Sequence, residues 1–134
     1  MYQSILYKHT NNETKKKVNL FLENWYDKTL TIETSTSGST GSPKKIILQK
    51  EHMLHSAQNT LDFFKIKKGA TAFLCLSPET IAGKMMIVRA IVGELNLIVG
   101  NISSNPLEHI DNNIDFIAMV PLQLEKSIEN IEQL

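Results

Sequence analysis

Apolar residues recur along this chain with two alternating periods. From Glu13 to Asp27, Val18, Phe21, Leu22 and Trp25 return at intervals of three and four with lysines and Asn between them, which predicts an amphipathic surface helix. Leu30 to Thr34 alternates as a strand does. Ser35 to Pro43 is then drawn only from Ser, Thr, Gly and Pro, a composition that favours neither helix nor strand. Lys44 to Gln49 reads as a further strand. Lys50 to Phe64 reads as a helix with Leu54, Ala57, Leu61 and Phe64 on one face. Beyond it the pattern predicts a strand at Ala70–Leu76, an apolar helix at Ile81–Val92, a strand at Leu95–Val99, a short helix at Pro106–Ile110, a strand at Asp115–Val120 and a helix at Pro121–Glu132 opened by its proline. Strands alternating with helices imply an α/β fold, a largely parallel, doubly wound sheet with helices on both faces. Met1 to Leu134 reads as one unit without repeat or linker. The last helix reaches Leu134 with no cap, as expected of the N-terminal portion of a longer protein.

Composition narrows what such a unit does. Fourteen Lys+Arg balance fourteen Asp+Glu, so no overall field draws the chain to nucleic acid or anionic lipid. The N-terminus lacks the apolar run of a signal peptide, and no stretch approaches the roughly 20 apolar residues of a membrane span. A cytoplasmic protein is expected. Cys75, the sole cysteine, lies in an apolar strand and reads as a small buried hydrophobe. Lys15, Lys16 and Lys17 read as a solvated helix face. His52 and His55 stand three apart without a further ligand at metal spacing, so no metal site is assigned.

The Ser/Thr/Gly run carries the chemistry. Gly38 and Gly41 let the backbone turn so that successive N–H groups converge on an anion; Ser37, Ser39 and Thr40 add donors, and Lys44 adds charge. Apolar strands close on both sides, unlike a flexible linker between domains. The P-loop pattern fails, because Ser42-Pro43 follows Gly41 and Lys45 follows Lys44. A flavodoxin-like FMN- or nucleotide-binding module, without ligase activity, is the alternative reading, and it calls for a helix directly after the loop.

Thr36-Ser37-Gly38-Ser39-Thr40-Gly41-Ser42-Pro43-Lys44 resembles the phosphate-loop signature of the adenylate-forming (AMP-binding) enzymes, among them the acyl- and aryl-CoA ligases. The resemblance implies part of the large N-terminal domain of such an enzyme, with ATP, Mg2+ in the full-length protein, and CoA as co-substrate. It implies that Thr36, Ser37, Gly38, Ser39, Thr40, Gly41 and Lys44 hold the ATP phosphates, with Lys44 also neutralising charge developing on pyrophosphate. Leu74-Cys75-Leu76-Ser77-Pro78, Ile81-Ala82-Gly83 with Arg89, and Val120-Pro121-Leu122-Gln123-Leu124 follow in an order and spacing similar to the o-succinylbenzoate–CoA ligases of menaquinone biosynthesis. That likeness implies a small-molecule acid as partner and makes Gly83, Lys84 and Arg89 candidate substrate residues. The sequence departs from the family at Glu79-Thr80, where an aromatic residue and His are usual, and it stops before the family's adenine-binding segment and the domain carrying its late lysine. On this reading the chain alone is a poor catalyst.

Overall fold

A computed structural model describes residues 2–36 and 41–128. Six strands and four helices follow one another as β1 (Ile5–Tyr7), α1 (Asn12–Tyr26), β2 (Thr31–Thr36), β3 (Lys44–Gln49), α2 (Lys50–Phe63), β4 (Thr71–Leu74), α3 (Ile81–Val92), β5 (Asn96–Val99), β6 (Phe116–Ile117) and α4 (Pro121–Ser127). β1, β5, β4 and β6 form a wholly parallel sheet in that order, and β2 pairs with β3 as an antiparallel hairpin. The fold is α/β, a mostly parallel sheet flanked by helices.

The strand order explains the layers. From β4 the chain moves through α3 to β5 on one side, then returns across β4 to β6 on the other. Because crossovers between parallel strands are right-handed, a reversal of direction sends the two connections to opposite faces. Alternation along the strands agrees. Ala72, Leu74, Leu97 and Val99 point into a core built with Val18, Phe21 and Leu22 of α1, Met53, Ala57 and Leu61 of α2 and the apolar length of α3. Phe73, Cys75 and Ile98 point the other way, onto Leu107, Ile110 and Ile114 of the β5–β6 connection. α4 joins that second side at the end of β4, where Gln123 meets Cys75.

Local chemistry accounts for several boundaries. Asn11 caps α1 by accepting from the Thr14 amide at 2.8 Å, and Pro121 opens α4. The sequence expectations are corrected at four places. β1 had no counterpart in the reading; it forms because it pairs with β5, Ile5 opposite Leu97. The helix expected at Pro106–Ile110 is a run of turns, for His109 takes a left-handed backbone, φ 66°, that a helix does not tolerate. Leu107 and Ile110 are nonetheless buried, so their spacing of three marks burial rather than helix. On α2 the buried stripe is Met53, Ala57 and Leu61, while Leu54 and Phe64 face outward. The strand expected at Asp115–Val120 is only Phe116–Ile117. The helix expected to reach Glu132 is described to Ser127, and its remainder lies outside the described residues.

Candidate functional site

The Ser/Thr/Gly run closes the β2–β3 hairpin. Thr36 stands opposite Lys44, Ser35 opposite Lys45, Thr34 opposite Ile46 and Ile32 opposite Leu48. Since side chains alternate across a strand, Lys44 shares a face with Thr36 and with buried Thr34 and Ile32, whereas Lys45 lies on the outer face with Glu33, its ion-pair partner at 3.6 Å. The two lysines are thus chemically distinct despite being neighbours. Gly41 has φ +115°, and nothing lies within 4 Å of the place a Cβ would take; its glycine answers to backbone conformation rather than to crowding. Ser37, Gly38, Ser39 and Thr40 lie outside the described residues.

The hairpin is tied to the body at its base. The Thr34 hydroxyl donates to the Glu79 carbonyl at 3.0 Å, and Lys50 donates its amide to the Leu30 carbonyl and its ammonium to the Asp27 carboxylate, each at 2.9 Å. The Thr29 hydroxyl and the Lys50 ammonium, both donating to Asp27, hold that carboxyl down to about 2.

Across from the hairpin lies the turn between β4 and α3. The Thr80 hydroxyl donates to the Ser77 carbonyl at 2.7 Å and accepts from the Gly83 amide at 3.0 Å, capping α3. This pulls the first turn of α3 so close that a Cβ on Gly83 would sit 1.9 Å from the Ser77 carbonyl oxygen. Lys84 follows, 9 % exposed, with its ammonium donating to the Pro78 carbonyl at 2.8 Å and 5.9 Å from the Phe21 ring centre. Burial lowers its pKa, and the Glu79 charge partly offsets that. Glu79 also meets Lys17 at 3.4 Å. Glu33, Thr34, Ser35, Lys45, Glu79 and Lys84 enclose a cleft of about 360 Å3 between hairpin and turn.

Thr36, Gly41 and Lys44 are therefore gathered on the hairpin, and Gly83 and Lys84 on the turn beside it. Arg89 is not brought there. It lies six residues beyond Gly83, about 9 Å along the helix axis, with its guanidinium carbon 6.0 Å from the Phe116 ring centre and Nη1 3.5 Å from Met86 Sδ. Burial lowers its pKa, and its Nε is buried without a hydrogen-bond partner among the described residues. Cys75 is buried, its thiol pushed up to about 12 by burial. His52 and His55 line a separate hollow on α2 with Phe63 and Phe64. Among the described residues no group of three or more His, Cys, Asp or Glu could hold a metal ion.

Two contributors were missed in the sequence. Thr34 looked like one more alternating strand residue; only the folded chain brings it to Glu79, 45 positions away. Gln123 was visible as the one amide in Val120–Leu124, but its burial depends on partners far away in the chain. No helix among the described residues is long and apolar enough to cross a membrane.

A parallel sheet flanked by helices, with an antiparallel hairpin beside it, defines the class of the molecule as an α/β unit. Comparison with solved structures gives this class a narrower relation. The chain is similar to an acyl-CoA synthetase (AMP-forming)/AMP-acid ligase II-like protein from Dyadobacter fermentans, at 35% identity and a TM-score of 0.82, covering 94% of this chain and 36% of that one. A second similarity, to the inhibitor-bound N-terminal domain of FACL13 from Mycobacterium tuberculosis, has 20% identity and a TM-score of 0.47 over 54% of this chain and 18% of that one, too little to carry an argument. No family model and no curated protein matches the chain. The chain spans about a third of the length of the Dyadobacter fermentans protein.

Proposed function

We propose that this chain supplies the ATP phosphate-binding part, and one wall of the acid pocket, of an AMP-forming acid–CoA ligase. The observation that carries the reading is the strand–loop–strand hairpin that sets Thr36 against Lys44 at the mouth of the Ser/Thr/Gly loop. A helix directly after the loop, as the flavodoxin-like alternative needs, is absent; β3 follows instead. In such a ligase the substrate carboxylate attacks the α-phosphorus of ATP, the bond to the pyrophosphate oxygen breaks, and the CoA thiol later displaces AMP from the acyl-adenylate. Thr36, Ser37, Gly38, Ser39, Thr40 and Gly41 would hold the phosphates, and Lys44 would meet the charge that grows on pyrophosphate. Mg2+ would arrive with the triphosphate, held chiefly by phosphate oxygens.

For the acid we propose o-succinylbenzoate. The support is the order of Leu74–Pro78, Ile81–Gly83 and Val120–Leu124 in the sequence, now seen to end β4, open α3 and open α4 around the carboxyl end of the parallel sheet. Lys84 falls on the wall facing the cleft, and Gly83 precedes it in the first turn of α3. Titration calorimetry tests the phosphate assignment. Pyrophosphate and ATP should bind the chain, Lys44→Ala should weaken them about tenfold, an electrostatic contribution of roughly 1.4 kcal/mol, and Lys45→Ala should leave them within about twofold. Equal losses at both lysines, or none at Lys44, overturn the assignment. Saturation by o-succinylbenzoate, but not by benzoate or a medium-chain fatty acid, in the presence of ATP checks the acid.

A further inference from the structure

Among the described side chains of α4, the buried ones are polar, Gln123 and Ser127, while Leu122 and Leu124 stand about half exposed. A helix so oriented is not seated by apolar burial. What holds it is visible at Gln123, which is 5 % exposed. Its Nε2 donates to the Cys75 carbonyl at 3.0 Å and to the Ser103 carbonyl at 2.9 Å, and its Oε1 accepts from the Val120 amide at 3.1 Å. The partners belong to three different connections: Cys75 directly follows β4, Ser103 lies in the chain leaving β5, and Val120 caps α4 after β6. One side chain therefore joins the carboxyl ends of three parallel strands, where open α/β sheets place their ligands.

We infer that Gln123 is a positioning residue for the acid pocket, acting through the β4–α3 turn. The route is short and covalent in its first part. Gln123 fixes the Cys75 carbonyl; two residues on, the Ser77 carbonyl lies against Gly83 and accepts from Thr80; the next residues, Glu79 and Lys84, are walls of the cleft. The route meets the hairpin at β2, where the Thr34 hydroxyl donates to the Glu79 carbonyl, and does not include Thr36 or Lys44. Loss of the amide should therefore loosen the acid wall and leave the phosphate grip intact. This inference rests on the ligase reading for its ligands but not for its geometry.

Cys75 supplies a built-in reporter, because it is the chain's only cysteine and its sulfur lies 3.4 Å from the Ala118 carbonyl and 3.8 Å from Gln123 Oε1. Gln123→Met keeps side-chain length and removes both donors. Under native conditions it should raise the rate of Cys75 labelling by N-ethylmaleimide at least tenfold, weaken o-succinylbenzoate at least fivefold and leave pyrophosphate affinity within about twofold. Unchanged labelling, or parallel losses of acid and pyrophosphate, overturns the inference. If neither ligand binds the unaltered chain, the ligase reading fails while the labelling result still decides the clasp. Should Gln123→Met not fold, hydrogen exchange of the unaltered chain decides instead. A helix N-cap amide such as that of Val120 ordinarily exchanges fast; here it should be slowed at least a hundredfold, and fast exchange overturns the clasp.

Discussion

The hairpin and the carboxyl end of the parallel sheet face the same cleft, yet they are held in different ways. Phe73, Leu74, Cys75 and Val99 are fully buried, and the turns beside them are crowded to the limit: Gly83 lies on the Ser77 carbonyl, and the Phe73 ring occupies the space a Cβ would need at Gly100. Among the described residues the hairpin strands pair with each other alone, expose Ile47, Lys44 and Lys45, and reach the body through Thr34, Lys50 and the inner face of β2. Close packing makes the first region intolerant of added volume. Sparse burial makes the second a low-stability unit that can open without the rest. The comparison teaches that the two sides of one cleft rest on parts of unequal burial.

Substitutions should expose that inequality. Phe73→Ala empties the centre of the second core and should destabilise by about 4 kcal/mol in urea unfolding; a loss below about 2 kcal/mol would mean that the sheet end is looser than its burial implies. Gly83→Ala should follow at about 3 kcal/mol, because the new methyl collides with backbone rather than with a yielding side chain, and thermal unfolding would show it. Thr34→Val removes the bond to the Glu79 carbonyl. Its global effect should be only about 1 kcal/mol, while amide exchange in β2 and β3 should speed more than in β4 and β5. Uniform acceleration would merge the two regions into one cooperative unit.

The smallest effect concerns acid. Asp27, at the hairpin base, titrates near 2 when folded against about 3.9 when unfolded. A depressed carboxyl favours the folded state above its unfolded value, so this contribution is present above pH ~4 and fades as pH falls toward 2. Asp27→Asn should flatten the acid limb of the stability curve over that window, and an unchanged limb would remove Asp27 from the hairpin's support.

Legibility in the sequence followed the same division. β3 at Lys44–Gln49 and α3 at Ile81–Val92 were readable to the residue, because each is a strong local pattern bounded by Pro43, Thr80 or Gly93. The Ser/Thr/Gly loop stands out for a similar reason, since its proposed chemistry depends on residue types in succession. β1 was unreadable because three residues carry no period, and its pairing partner lies about 90 positions away. The choice between Met53 and Leu54 as the inward residue of α2 depends on where α3 sits, not on the helix. The Gln123 clasp depends on hydrogen bonds from 123 to 75 and 103, which no local pattern encodes.

The pairing of Thr36 with Lys44 makes loop length itself a chemical setting. A strand shifted by one residue turns every side chain over. Deleting a single residue between Thr36 and Lys44 and letting β3 re-pair would bring Lys45 to the inner face, send Lys44 outward, and expose Ile46 and Leu48 in place of Ile47. The buried inner face of β2 opposes that slip, so the number of residues between Thr36 and Lys44 is a matter of parity: two can be added or removed far more readily than one, and Lys44 keeps its place on the inner face only when that parity is kept.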